Sequence, residues 1–156
     1  MFGFAPGCLG LTVHANADTL APKPKTLTFE AAATAPTVYL TVLAAFNHGK
    51  GLGPQTRVLV HAGTGGVGLA AVSIGSALGC QVLATAGSAT KRGHLRRQGL
   101  KQALDSRSAS FTDPLLSCMG PADLVLNSLT SAGRFSYFFA QENTLSLSSP
   151  KKFLAF

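Results

Sequence analysis

Residues 57–68 read RVLVHAGTGGVG, and that stretch decides the fold. Its first half, Arg57-Val-Leu-Val-His-Ala62, is a short run of β-branched and aliphatic residues, the pattern of a strand buried on both faces of a parallel sheet. Its second half, Gly63-Thr64-Gly65-Gly66-Val67-Gly68, satisfies GxGxxG. Alone the pattern is weak, because a chain with 17 glycines produces it by accident. Context strengthens it. Beyond Gly66, the residues Val67, Ala70, Ala71, Ile74 and Leu78 fall on one helical face, and Gly79 is placed as a C-cap. A second apolar run, QVLATA at 81–86, follows. The physical demands of a dinucleotide site are then met. The turn offers backbone without Cβ, so that a pyrophosphate can approach closely, and the helix start offers free N–H groups and a positive dipole end. An ordinary tight strand-to-helix turn is the alternative reading.

Outward from this turn, Ser88 is a cap candidate for a helix over 89–98, closed by Gly99. Residues 102–105 and 123–127 (DLVLN) predict two more short strands, with a weak helical turn at 111–118 between them. Upstream, APKPK at 21–25 predicts an extended crossing segment. Thr28 is a cap candidate, and Pro36 predicts two helical pieces rather than one, the second over 38–47. Strands alternating with helices imply an α/β fold with a parallel sheet and right-handed crossovers. Residues 131–156 change character, with an aromatic cluster at 135–140 and no clear period after it.

The composition fits one packed globular domain, at 156 residues with 46% apolar and 12% charged side chains. A net charge of +7 raises the local concentration of anionic ligands such as phosphates. The cations are scattered as Lys23/Lys25, Lys91/Arg92, Arg96/Arg97 and Lys151/Lys152, without a long run or interleaved aromatics, so no nucleic-acid partner is expected. Cys8, Cys80 and Cys118 form no CxxC and no even set, which predicts a reducing, cytoplasmic setting. Residues 1–10 lack the basic n-region of a signal peptide, and no stretch is expected to reach the apolar length of a membrane span. His14, His48 and His61 lack a carboxylate or Cys at ligand spacing, so no metal site is expected. His61 reads as a strand residue beside the turn, and Tyr39 as a core residue rather than a proton donor.

The choice of nicotinamide cofactor is read at the end of the second strand, where an Asp or Glu would take the ribose 2′-hydroxyl of NAD. Thr85-Ala86-Gly87-Ser88 holds no acid, and Lys91 and Arg92 follow. A 2′-phosphate would meet hydroxyl and cationic donors there, so NADPH is expected over NADH. Solvated helix-surface cations are the alternative.

Seven separate stretches now point to one family: FGFAPGCLG at 2–10, FEAA at 29–32, PTV at 36–38, HAGTGGVG at 61–68, ATAGS at 84–88 with Lys91-Arg92, DSR at 105–107 and VLNSL at 125–129. In that order they resemble the enoyl-reductase domain of modular polyketide synthases, from the zinc-independent, quinone-reductase-like branch of the medium-chain dehydrogenases/reductases. These domains are similar in turn to the reductase of animal fatty-acid synthase. The resemblance implies a partial Rossmann-type doubly wound parallel sheet preceded by the C-terminal end of a GroES-like β domain. Residues 1–35 would be that end and the crossover, 36–130 an incomplete NADPH-binding domain, and 131–156 a divergent tail.

It also implies hydride transfer from NADPH to the β-carbon of an acyl-carrier-bound α,β-unsaturated thioester, with other synthase domains as partners. Carried over by position, Gly63, Thr64, Gly65, Gly66, Val67 and Gly68 would hold the pyrophosphate. Ser88, Lys91 and Arg107 would surround the adenosine 2′-phosphate, with Ser106 nearby, and Gly87 would also belong to the cofactor site. Thr41 would lie near the nicotinamide half, and Asn127, Ser128 and Leu129 would line the cleft. No catalytic residue is assigned: the family's candidate proton-donor Tyr precedes the matching region. Beyond Thr130 the family continues with a long helix, a GGRFVE strand and a GK[RT]D stretch, of which only Ala132-Gly-Arg-Phe135 is an echo, and Lys151 and Lys152 are given no catalytic role. Little turnover is expected from these residues alone. The alternatives are a catalytically incomplete nucleotide-binding fragment and a quinone or alkenal reductase.

Overall fold

The computed structural model describes residues 1–48, 52–107, 117, 120–128 and 152–155. A two-stranded antiparallel ribbon of β1 (Phe2–Gly3) and β2 (Leu20–Ala21) comes first, with a single 3-10 turn at Ala17–Thr19 just before β2. The rest is a parallel sheet with helices between its strands. In chain order these are α1 (Phe29–His48), β3 (Arg57–Val60), α2 (Gly66–Ala77), β4 (Gln81–Ala86), α3 (Ala89–Arg97), β5 (Ala103–Asp105), β6 (Leu124–Asn127) and β7 (Lys152–Ala155).

The spatial order is β5-β4-β3-β6-β7, every pair parallel. Counted from β3 this is 3-2-1-4-5, the doubly wound order in which the chain reverses direction across the sheet between its first and fourth strands. The reversal falls between β3 and β6, and it is at the C-terminal ends of the strands flanking such a reversal that doubly wound sheets bind their ligands. Burial is continuous along β6, and along β3 and β4 once past their first residues, because helices cover the sheet. Val58, Val60, Ala84, Leu124 and Leu126 of the sheet pack with Ala70, Ala71 and Val72 of α2, Leu95 of α3, and Val42, Ala45 and Phe46 of α1.

Two expectations are corrected. Pro36 lies inside one continuous 20-residue helix, not between two pieces. Thr28 starts it as expected, its hydroxyl accepting the Ala31 N–H at 3.1 Å. An interior proline costs a helix about 3 kcal/mol. Burying Val42 and Phe46, each at about 1.5–3 kcal/mol for a side chain of this size, outweighs that loss. Secondly, residues 29–47, with a hydropathy of 1.3, are long and apolar enough to cross a membrane by length and composition. In this fold they pack on the core through Val42, Ala45 and Phe46, with Ala32 also buried, and leave Phe29, Leu40 and Leu43 exposed.

The other local signals appear in place. Gly79 and Gly99 take left-handed φ values of 73° and 94° just beyond α2 and α3. β4 has the expected bounds, while β3, β5 and β6 are each one or two residues shorter than their apolar runs. The helical turn expected at 111–118 lies outside the described residues except for Ser117. β7 is an addition: Lys152–Ala155 pairs with Leu124–Asn127 in a segment whose sequence shows no period.

Candidate functional site: the glycine turn and the strand ends beside it

The C-terminal ends of β3, β4, β5 and β6 form one rim. At its centre the chain leaves β3 through His61 and Ala62 and turns into α2. Gly63 N–H donates to the Thr85 carbonyl at 2.9 Å, and Gly65 N–H donates to the Ala62 carbonyl at 2.8 Å. The sharpness of the turn puts Ala62 at φ 51°, a left-handed conformation that costs an L-residue about 1 kcal/mol. No local pattern signals this, since the strained residue is not one of the glycines.

The three motif glycines have separate reasons. A Cβ on Gly63 would stand 2.7 Å from the Ala84 Cβ and 3.2 Å from a Leu95 methyl, so this glycine lets the turn lie flat on β4 and α3. On Gly68 it would meet the Ala62 carbonyl oxygen at 2.4 Å. Gly65 is the helix N-cap without a side-chain cap, and among the described residues a Cβ there has only one neighbour, the Ala62 oxygen at 3.3 Å. Gly65 and Gly66 are exposed and Thr64 and Val67 half-buried, so this end of α2 presents backbone to solvent. That is the geometry a pyrophosphate needs. A Cβ on Gly66 would lie 3.1 Å from a Val38 methyl, which brings α1 against the turn. Thr41, one helical turn beyond Val38, donates its hydroxyl to the Thr37 carbonyl at 2.7 Å.

Beneath the turn His61 is 1% exposed, and its Nδ1 shares a hydrogen bond of 3.0 Å with the Thr85 hydroxyl. Burial pushes its pKa down to about 4, so the imidazole is neutral at pH 7. Asn127, at the end of β6, is also buried. Ser128 follows and donates its hydroxyl to the His61 carbonyl at 3.3 Å. These two residues therefore lie beside the exit of β3 into the turn. Leu129 lies outside the described residues.

At the other end of the rim Ser88 caps α3, its hydroxyl accepting the Lys91 N–H at 3.3 Å. Ser106 and Arg107 arrive from β5. A Cβ on Gly87 would lie 3.1 Å from the Arg107 Nε and 3.5 Å from the Ser106 hydroxyl. Gly87, Ser106 and Arg107 thus converge on one spot, with Ser88 next to it on the chain. Lys91 is exposed on the first turn of α3. Arg92 differs from the expectation that it stands beside Lys91 as a phosphate donor. It turns back across the strand ends, its Nη1 lying 2.8 Å from Asp105 Oδ2 and 3.2 Å from the Ala86 carbonyl. Asp105 also accepts the Arg107 N–H at 2.8 Å, and that bond, ahead of the Arg92 charge, holds its carboxyl below the usual range. Inspection of residues 85–88 alone misses this acid, because only the pairing of Ala86 with Asp105 places it beside the second strand.

No family model matches the chain. A phenolphthiocerol/phthiocerol polyketide synthase of Mycobacterium tuberculosis is 42% identical over 131 residues, which is 83% of this chain and 6% of that protein. Among solved structures, the CurK enoyl reductase is similar with a TM-score of 0.75 and 34% identity over 90% of this chain and 41% of that one. The nucleotide-binding subdomain of the enoyl reductase domain of PpsC, also from M. tuberculosis, has a TM-score of 0.61 and 37% identity. That match covers 77% of this chain and 66% of the subdomain. The Escherichia coli quinone oxidoreductase, solved in complex with NADPH, has a TM-score of 0.66 and 29% identity over 77% of this chain and 37% of its own. The chain thus spans a small part of its curated relatives and under half of the CurK domain. Sharing both sequence and fold with these domains across the glycine turn and its sheet, the chain belongs to the enoyl-reductase family of polyketide synthases, with quinone oxidoreductases as wider relatives.

Proposed function

We propose that this chain forms the NADPH-binding part of an enoyl reductase of polyketide- or fatty-acid-synthase type, acting on an acyl-carrier-bound α,β-unsaturated thioester beside other synthase domains. In this reading residues 1–35 end a GroES-like substrate domain and 36–130 belong to the nucleotide-binding domain. The observation that carries it is the convergence of Gly87, Ser106 and Arg107 at the ends of β4 and β5. A backbone without a side chain there leaves room for a phosphate, and the guanidinium and hydroxyl are its natural donors.

The groups present fit the cofactor. Gly68 lets the helix start pack directly on the Ala62–Gly63 backbone, Gly65 and Gly66 leave backbone open to solvent, and the exposed start of α2 favours negative charge. Gly63 to Gly68 would hold the pyrophosphate, and Ser88, Lys91, Ser106 and Arg107 the 2′-phosphate. The chemistry the cofactor would supply is the hydride taken up at the β-carbon of the enoyl thioester, with the α-carbon protonated by a donor that is assigned to no residue of this chain. What these residues do is bind and orient. Asn127 and Ser128, beside the exit of β3, and Leu129 would line the cofactor cleft, and Thr41, on the α1 face that meets the turn, would lie near the nicotinamide half. The neutral His61 supports the turn without placing a charge beneath it.

Nicotinamide fluorescence titration tests the reading. NADPH binding at least about tenfold tighter than NADH is expected, as for one or two charge-assisted contacts to the extra phosphate. Equal affinity overturns it. A quinone or alkenal reductase is the second reading, favoured by the likeness to the quinone oxidoreductase. It predicts turnover of small free enones in preference to thioesters. Nucleotide binding without turnover of either substrate is the outcome expected of a catalytically incomplete fragment.

A further inference from the structure

The rim contains an acid that the phosphate reading must accommodate. Asp105 ends β5 in register with Ala86, the last residue of β4, and is followed by Ser106 and Arg107, whose side chains crowd Gly87. An acid at the end of the second strand favours the 2′-hydroxyl of NADH and repels a 2′-phosphate. Here the acid comes from the neighbouring strand, one residue from the proposed phosphate donors. It is 39% exposed, so nothing but its neighbours masks it.

Arg92 is the neighbour that does so. Its Nη1 bridges Asp105 Oδ2 at 2.8 Å and the Ala86 carbonyl at 3.2 Å, with only 20% of the side chain exposed. The other carboxylate oxygen takes the Arg107 N–H at 2.8 Å, which fixes the carboxylate in place and shapes the turn that presents Arg107. One cation of α3 is therefore committed to an anion, while Lys91 on the preceding position stays exposed.

We propose that Arg92 determines the nucleotide preference indirectly, as a positioning residue: by neutralising Asp105 it leaves Lys91 and Arg107 as the net field that a 2′-phosphate meets. The inference rests on the NADPH reading above. It assigns to Arg92 a role distinct from phosphate contact and from a mere clamp between strands.

The full chain is titrated with NADPH and with NADH as wild type, Arg92→Met, Asp105→Asn and the double variant. Asn at 105 keeps an acceptor for the Arg107 N–H without the charge. Arg92→Met is expected to weaken NADPH about tenfold, as an uncovered unit charge near a phosphate requires, with NADH unchanged. Asp105→Asn added to it is expected to restore NADPH affinity to within about twofold of wild type, as removal of that charge requires. Should Arg92→Met not fold, Arg92→Gln, which keeps a donor toward Ala86 but no charge, carries the same expectation. Equal loss of NADPH and NADH in the Arg92 variant would make the residue a clamp only and overturn the inference. So would a selective NADPH loss that Asp105→Asn does not rescue, because Arg92 would then touch the phosphate itself. Wild type that does not distinguish the two nucleotides instead overturns the cofactor reading underneath.

Discussion

Gly68 packs directly against Gly63: a Cβ on Gly68 would stand 2.7 Å from the Gly63 Cα and 2.4 Å from the Ala62 carbonyl oxygen. All of these neighbours are backbone, so no side chain can swing away to make room. Gly68→Ala is therefore expected to displace the turn, lowering stability by about 1–3 kcal/mol as overpacking does. It should weaken NADPH and NADH alike, because both carry the pyrophosphate. Gly93→Ala is the control, since among the described residues a Cβ there meets nothing within 4 Å. At that mid-helix position, alanine should add about 0.5–1 kcal/mol to stability. Thermal unfolding together with nucleotide titration checks both, and unchanged binding in Gly68→Ala would contradict the cradle.

The cationic part of the rim makes a different demand. Lys91→Ala and Arg107→Ala remove charges that NADPH would use and NADH would not. Each is expected to weaken NADPH about tenfold, by the 1.5–3 kcal/mol typical of hydrogen bonds to charged groups, partly screened at an exposed site. NADH should be unaffected, and the NADPH loss should shrink as salt rises. Parallel losses for both nucleotides would place these side chains elsewhere than the 2′-phosphate.

Much of this was legible from local signals. The glycine turn, α2 and α3 announce themselves by apolar spacing, Ser88 and the glycines at 79 and 99, because caps and helix faces are encoded within a few residues. What the sequence hides is set by contacts between distant residues. The single helix through Pro36 depends on burial of Val42 and Phe46 against the sheet. β7 exists through its pairing with β6, about 28 residues earlier, a register that no local pattern encodes. Asp105 reaches the end of β4 beside Gly87 only because it pairs with Ala86, and Arg92, adjacent to Lys91, has a different partner for the same reason.

His61 gives the fold a pH dependence of known sign. Burial lowers its pKa from the ordinary 6.5 to about 4. Between those values the unfolded chain takes up a proton that the folded chain refuses, so stability is full above about pH 6.5 and falls as the pH drops toward 4. The loss approaches about 3 kcal/mol, at 1.36 kcal/mol for each pH unit of difference. His61→Gln, which keeps a polar group toward Thr85, should flatten the curve over that window while leaving the steeper carboxylate-driven loss below it. Urea unfolding at a series of pH values compares the two chains. Identical slopes between pH 6.5 and 4.5 would mean that His61 titrates normally.

At the opposite end of the sheet Arg57, the first residue of β3, pairs with Asp123, the residue just before β6. Arg57 Nε donates to Oδ2 at 3.0 Å and Nη2 to Oδ1 at 3.1 Å, while the Arg57 backbone N–H also donates to Oδ2 at 3.0 Å. The Asp123 N–H returns a bond to the Arg57 carbonyl at 2.9 Å. A solvated surface pair contributes about 0–1 kcal/mol. This one is two-pronged, supported by backbone and only 28% and 16% exposed, so Asp123→Ala should cost about 1–3 kcal/mol. Asp123→Asn keeps an acceptor for the backbone N–H but loses the charge and one prong, and should cost less. Because the pair lies far from the glycine turn, the ratio of NADPH to NADH affinity should stay as in wild type for both variants. A change in that ratio would show that the two ends of the sheet are coupled, and a lack of any stability loss would place this pair with ordinary surface bridges.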